Sequence, residues 1–349
     1  MPSNESLTAR ALALHRDALV IEGSQSAPMT PEHFARLRRG GIHALNITAV
    51  HDLEAEFTQA AATIQDLLDT IQAHSDQLSL IQTSKDILQA RSLGKTGVII
   101  GLQNAKPVMH DLRYLRLLRT LGVRIIQLTY NERNLIGDGC IERANGGLSR
   151  FGRAVVKEMN RIGVVVDVAH CGEQTTLDAI EESELPVVIS HANAKALCPS
   201  PRNKSDRVLR ALAERGGVIG AAFWAPLAYS DPRRRPGTKE FFAHVDYLVE
   251  HAGIDHVGIG SDIGEGESRE HYEAMFTRGG GTYPEVTAVL GDWYDFDHRM
   301  IEGLESSVVF PQVTEALLAR GYKDEDIRKI LGGNWLRVYS KVLDQTSSD

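Results

Sequence analysis

Short apolar, β-branched runs alternate with longer amphipathic stretches almost to the end of the chain. The strand-like runs are 18–22 (ALVIE), 42–50 (IHALNITAV), 97–102 (GVIIGL), 123–129 (VRIIQLT), 163–169 (GVVVDVA), 186–190 (PVVIS), 217–224 (GVIGAAFW) and 256–261 (HVGIGS). Each is nearly continuous in apolar character, as strands buried on both faces must be. Helical spacing fills most of the intervals, for example at 57–74, 149–161 and 205–215. Ser205-Asp206 opens one such stretch, and Thr30-Pro31-Glu32 places a proline at a first helical position. Eight strands alternating with helices predict a parallel sheet, and eight is the number that closes a (β/α)8 TIM barrel. An open doubly wound sheet is the alternative. No G-x-G-x-x-G follows an early strand, so a dinucleotide site has no support.

Two stretches break the rhythm. Residues 226–240 and 263–300 are polar, Gly-rich and aromatic, and they follow the seventh and eighth strands. Long loops there belong on the catalytic face of a barrel. The tail, 312–343, reads as amphipathic helices interrupted at Gly332-Gly333 and packed on the barrel, so residues 1–349 are expected to form one domain. That length suits a barrel of this class, which runs from about 250 to 400 residues.

Composition narrows the partners. Lys plus Arg is 38 against 46 Asp plus Glu, a net charge of −8 with no basic tract, which argues against nucleic-acid binding. Three cysteines (Cys140, Cys171 and Cys198) form no C-x-x-C pair and suit a reducing compartment. No apolar run approaches the ~20 residues that span a bilayer, and the N-terminus lacks a signal-peptide pattern. A cytoplasmic protein with no membrane partner is expected, as a homodimer or higher homo-oligomer.

In a barrel, chemistry sits at the C-terminal ends of strands. The first run ends in Glu22-Gly23-Ser24-Gln25-Ser26, the second at His51-Asp52, the third at Gln103-Asn104 and the fourth at Thr129-Tyr130-Asn131. The fifth ends at His170 after Asp167, the sixth at His191 and the eighth at Asp262. A single histidine at a strand end is ordinarily structural. Two on adjacent strands, with an aspartate on the eighth, fit neutral imidazoles converging on a divalent ion while a carboxylate takes a proton from water. Arg202, just beyond His191, could clamp a substrate carboxylate through two parallel hydrogen bonds. Tyr130 reads either as packing or as a phenol facing the ligand. The cysteines read as structural.

VVDVAHCGEQT, VVISHANAKAL, PSPRNKSD, GIDHVGIGSD and the tail GGNWLRV resemble the membrane (renal-type) dipeptidase family of the amidohydrolase superfamily, over about residues 15–340. The resemblance implies a metal-dependent barrel that hydrolyses dipeptides at a bridged pair of zinc ions. It makes His170 and His191 ligands of the second metal, Asp262 the proton-handling acid, and Arg202 the carboxylate anchor. The departures are as informative. Ser24 and Ser26 stand where the family's D-G-H-x-D motif has its first-metal His and Asp. Gln103 replaces the bridging glutamate, and Tyr130 replaces the histidine of L-T-H-N. The pattern resembles a bacterial branch of the family that lacks these ligands.

The expected site therefore holds one divalent ion, zinc by type, on His170 and His191, or no metal at all. His51 and Asp52 could replace the missing pair. Asp262 is the expected base, with Arg202, Tyr130, Gln103 and Asn131 contacting a small carboxylate-bearing substrate. Three functions remain open at this point: hydrolysis of a C–N bond in a dipeptide or N-substituted amino acid, a non-hydrolytic C–N or C–C cleavage, and an inactive ligand-binding homologue.

Overall fold

A computed structural model describes residues 4–51, 56–277 and 283–345. Nine strands form one parallel sheet: β1 (Ile21–Gln25), β2 (Ala44–Val50), β3 (Leu78–Leu80), β4 (Thr96–Leu102), β5 (Val123–Gln127), β6 (Val165–Asp167), β7 (Val188–Ile189), β8 (Val218–Ala221) and β9 (Val257–Ile259). Their order is β1-β2-β4-β5-β6-β7-β8-β9, so all eight apolar runs are strands. The extra strand, β3, pairs only with the first half of β4, Leu78 opposite Thr96 and Leu80 opposite Val98. With three residues and a half-exposed end it leaves no periodic signal.

The barrel closes between β1 and the chain just after β9. Asp262 N–H donates to Ser24 O at 2.9 Å, Ser26 N–H donates to Ile263 O at 3.1 Å, and Gln25 bridges Ile263 in parallel. Below these bonds Glu22, wholly buried, accepts on Oε1 from the amides of Ser24 (3.1 Å) and Ser261 (2.7 Å). The resulting architecture is a (β/α)8 TIM barrel.

Helix boundaries follow from capping chemistry. Thr30 caps Pro31–Arg39, accepting from His33 N–H, and Ser205 caps Asp206–Glu214, accepting from Val208 N–H. Each side-chain oxygen satisfies an amide that a helix start leaves unpaired. The tail departs from expectation. It does not break at Gly332-Gly333 but runs through a π-helical turn, Lys329–Gly333, straight into the helix Asn334–Leu343. A Cβ on Gly332 would lie 2.4 Å from Leu19 O, so glycine is needed for close approach to the start of β1 rather than as a helix stop. The last helix packs Trp335, Val338 and Tyr339 against Ile21, Ile99, Val188 and Val218, closing the end of the barrel remote from the strand C-termini. Asn334 donates to Ile254 O and Val257 O, and Trp335 Nε1 donates to Ile259 O. The stretch 263–300 also differs from a plain loop: it holds the helix Arg269–Thr277 and a short turn of helix, Pro284–Thr287. No helix among the described residues is long and apolar enough to cross a membrane.

Burial pushes the Glu22 carboxyl up to about 8, against the two amide hydrogen bonds that favour its ionised form. Between about pH 4.5, where the unfolded chain loses this proton, and about pH 8, the folded state retains it. Stability from this group is therefore full below that window and falls as pH rises through it, by roughly 1.4 kcal/mol per pH unit. Glu22→Gln keeps the shape and removes the proton. Its thermal midpoint is expected to match the parent near pH 4.5 and exceed it progressively towards pH 8. A difference that does not change with pH would remove Glu22 as the cause.

Candidate active site

The strand C-termini open into a small cavity. Its walls include Ser26, His51, Gln103, Tyr130, Asn131, His170, Arg202 and Asp262, each at a strand end or in the loop after it, together with Trp224, Gly264, Glu267, Tyr272, Arg299 and Met300. His191 is wholly buried behind this wall. Asp52 lies outside the described residues.

His170 and His191 meet directly, with their Nε2 atoms 2.9 Å apart. Their outer nitrogens are held separately. Asp167 accepts from the amides of Ala169 and Ser190 on Oδ1 and from the Ser190 hydroxyl on Oδ2, at 2.6 Å. Burial raises the Asp167 carboxyl, with these hydrogen bonds opposing, and the Ser190 hydroxyl also lies 2.8 Å from His191 Nδ1. On the other side Asn131 Oδ1 accepts from His170 Nδ1–H at 2.7 Å and from the Cys140 thiol at 3.3 Å. The two Nε2 atoms face each other, a contact satisfied by a proton on one of them or by a metal ion between them. Burial, and then the Arg202 guanidinium, hold both histidines well below their ordinary pKa, so the free rings are neutral ligands. Asn131, expected to contact substrate, lines the cavity but spends its oxygen on orienting His170.

The segment after β7 grips this pair. Arg202 Nη1 donates to Ala169 O, and Lys204 Nζ donates to Val168 O (2.9 Å) and Cys171 O (3.0 Å). Both cations are buried, and burial draws Lys204 down to about 8. Together they hold the three carbonyls around His170. Arg202 has more to offer, because its Nε and Nη2 are buried with no hydrogen-bond partner. An unpaired buried guanidinium edge is costly, and a carboxylate matches it in two parallel bonds. Cys171 turns away from the cavity and accepts from the Thr129 hydroxyl on Sγ.

Asp262 adopts φ +59, left-handed backbone that a non-glycine residue enters at a cost. Its amide bond to Ser24 O fixes this turn, and the side chain, 18% exposed, faces the cavity with Oδ1 3.9 Å from His191 Nε2. Burial raises Asp262 to about 6, with Arg202 and the Gln103 amide opposing. Gln103 Nε2 itself makes no hydrogen bond in the structure. Tyr130 stacks on the His170 ring, centroids 4.2 Å apart and planes 21° apart, so it walls the site and restrains the imidazole.

The far side of the cavity comes from the stretch after β9, which the sequence marked as loop without naming residues. Glu265 pins it: its Oε1 lies 3.2 Å from His33 Nδ1, its Oε2 accepts from the Ser306 hydroxyl, and Oε1 accepts from Ser307 N–H. Despite burial, these contacts hold Glu265 at about 2. Beyond it, Glu267 enters the cavity, and Arg299 donates to Gly264 O and Phe296 O while lying 3.9 Å over the Phe296 ring. No periodicity could flag these side chains, because distant segments bring them together.

The profile of the membrane dipeptidase family (peptidase family M19) matches residues 8–277 and 281–348. The chain belongs to the membrane dipeptidase family. Dipeptidase tcpJ of Claviceps purpurea is 31% identical over 286 residues, covering 81% of this chain and 60% of the relative. Dipeptidase verJ of Clonostachys rogersoniana is 31% identical over 307 residues, covering 86% of this chain and 69% of the relative. The chain thus spans less than two thirds of the first relative's length. A solved amidohydrolase of Pseudomonas aeruginosa superposes with a TM-score of 0.86 at 33% identity, over 96% of this chain and 99% of that one.

Within this chain the donor set is sparse. Ser26 lines the cavity, Ser24 is buried, Gln103 is neutral, and no group of three or more His, Cys, Asp or Glu suited to a metal occurs among the described residues. His51 also lines the cavity, and burial lowers it to about 3. The two facing Nε2 atoms are the residues' own offer to a metal ion.

Proposed function

We propose that this protein hydrolyses the C–N bond of a dipeptide or small N-substituted amino acid, at a site holding at most one divalent ion, zinc by ligand type, between His170 and His191. The observation that carries the reading is Arg202: a wholly buried guanidinium with two unpaired N–H groups at the wall of a cavity that also holds an aspartate of pKa about 6. When bound, the ion would supply Lewis acidity and a more acidic water. The protein's own contributions are separable. Arg202 fixes the substrate carboxylate and so orients the scissile bond. Asp262, ionised above about pH 6, takes a proton from water. Gln103 offers an amide N–H to a polar atom of the substrate, and Tyr130 and Trp224 wall the bound molecule. Lacking a second charged centre, the site is expected to turn over common dipeptides below the ~10⁴ M⁻¹s⁻¹ reached by good enzymes.

Three measurements test this. Elemental analysis of protein purified without added metal is expected to find one equivalent or less of a divalent ion per chain. Two equivalents retained through dialysis would overturn the one-ion site. Asp262→Asn is expected to leave the thermal midpoint and ligand affinity close to the parent while lowering kcat by on the order of 10²–10⁴. In the parent enzyme, kcat should rise with pH through about 6 and level above it, because the base must be ionised; unchanged kcat in the variant would make Asp262 structural. Finally, dipeptides and N-acyl amino acids are compared with their carboxamides by calorimetry and turnover. The acids are expected to bind at least ~10-fold more tightly, since the amide forfeits a charge-assisted pair, and equal affinities would remove Arg202 from substrate binding.

A further inference from the structure

The cavity has a second charged wall that the proposed chemistry does not use. Glu267 lines it with a side chain only 4% exposed, and its Oε1 makes no hydrogen bond. His271 Nε2 lies 3.8 Å from that oxygen, too far for a hydrogen bond. Arg299, also on this wall, gives its hydrogen bonds to Gly264 O and Phe296 O instead. Leaving a carboxylate oxygen dry and unpaired is costly unless something else completes it.

A Cβ on Gly264 would lie 2.7 Å from Glu267 Oε2 and 3.0 Å from Ser26 Oγ, so the glycine lets both groups approach the backbone there. Burial raises the Glu267 carboxyl to about 7, with the Arg299 guanidinium opposing and Asp262 adding to the rise, so an arriving cation would draw it to its ionised form. Trp224 and Tyr272 add aromatic surface to the same lining, and the Arg299 guanidinium lies 5.2 Å from the Tyr272 ring centroid.

We infer that Glu267 is a specificity residue that binds a protonated amine of the substrate, so that the molecule lies across the cavity with its carboxylate on Arg202 and its cationic nitrogen on Glu267. This deepens the reading of the site as an Arg202-anchored hydrolase and rests on it. It selects a free-amine zwitterion from the two substrate classes left open, and excludes N-acylated amino acids. Ser26 Oγ is placed to accept a further N–H from the same nitrogen.

The test uses the full-length protein and three probes: L-alanyl-L-alanine, its N-acetyl derivative and its carboxamide, with affinity read by calorimetry and KM and kcat by turnover. The parent protein is expected to bind the free-amine acid at least ~10-fold more tightly than the N-acetyl acid. Glu267→Gln is expected to weaken the free-amine acid by about 10- to 100-fold, the worth of one charge-assisted pair, through KM rather than kcat. The N-acetyl acid should be unaffected, and Glu267→Asp should recover part of the loss. Equal weakening of both acids would show a structural role and overturn the inference. So would a parent protein indifferent to N-acetylation, a comparison that stands even if the variants do not fold. Indifference to the carboxamide alone would overturn the Arg202 anchor while leaving the amine selectivity measurable. Binding of none of the three would overturn both.

Discussion

The seam that closes the barrel is the constraint on which the rest depends. A sheet of eight parallel strands satisfies its last backbone groups only if β1 finds the chain after β9, and here the bonds fall at Ser24, Ser26, Asp262 and Ile263. The same bonds hold Asp262 in a left-handed turn with its carboxyl over the cavity. Glu22 supports the seam from within by accepting two amides that the short strands leave free. Closure and placement of the acid are thus one event, and the backbone strain at Asp262 is offset by the pairing that completes the barrel.

A second layer of buried polar groups converts the barrel into a directional site. Asp167, Ser190 and Asn131 fix the outer nitrogens of two histidines, while Arg202 and Lys204 hold the carbonyls around them. These cations lie in low-dielectric surroundings, where their influence on the histidines and on Asp262 is strong. The result is a pair of neutral imidazoles with facing Nε2 atoms beside an aspartate poised near neutrality. The Glu265 clasp presents the post-β9 segment, which brings Glu267 and Arg299 to the cavity wall.

Neutral groups stand among the charged ones around the histidines. Ser26 lies beside Glu267 at Gly264, Gln103 faces the cavity without charge, and Tyr130 lies flat on His170.

Much of this was legible in the linear chain. Strands buried on both faces must be continuously apolar, so eight such runs declared the parallel sheet, and polar residues ending those runs declared His170, His191, Asp262 and Gln103. Caps at Thr30 and Ser205 were equally readable, because capping is local. Other features depended on which segments meet. β3 is too short to carry a period, and Gly332-Gly333 looked like a break because the approach of Leu19 cannot be seen in sequence. That Asn131 also accepts from His170 on its oxygen could not be read from the chain. Closure, the unpaired edge of Arg202 and the entry of Glu267 into the cavity were decided only by the tertiary structure. The physical reason is that sequence sets local periodicity and chemical type, whereas desolvation and hydrogen-bond satisfaction depend on neighbours drawn from anywhere in the chain.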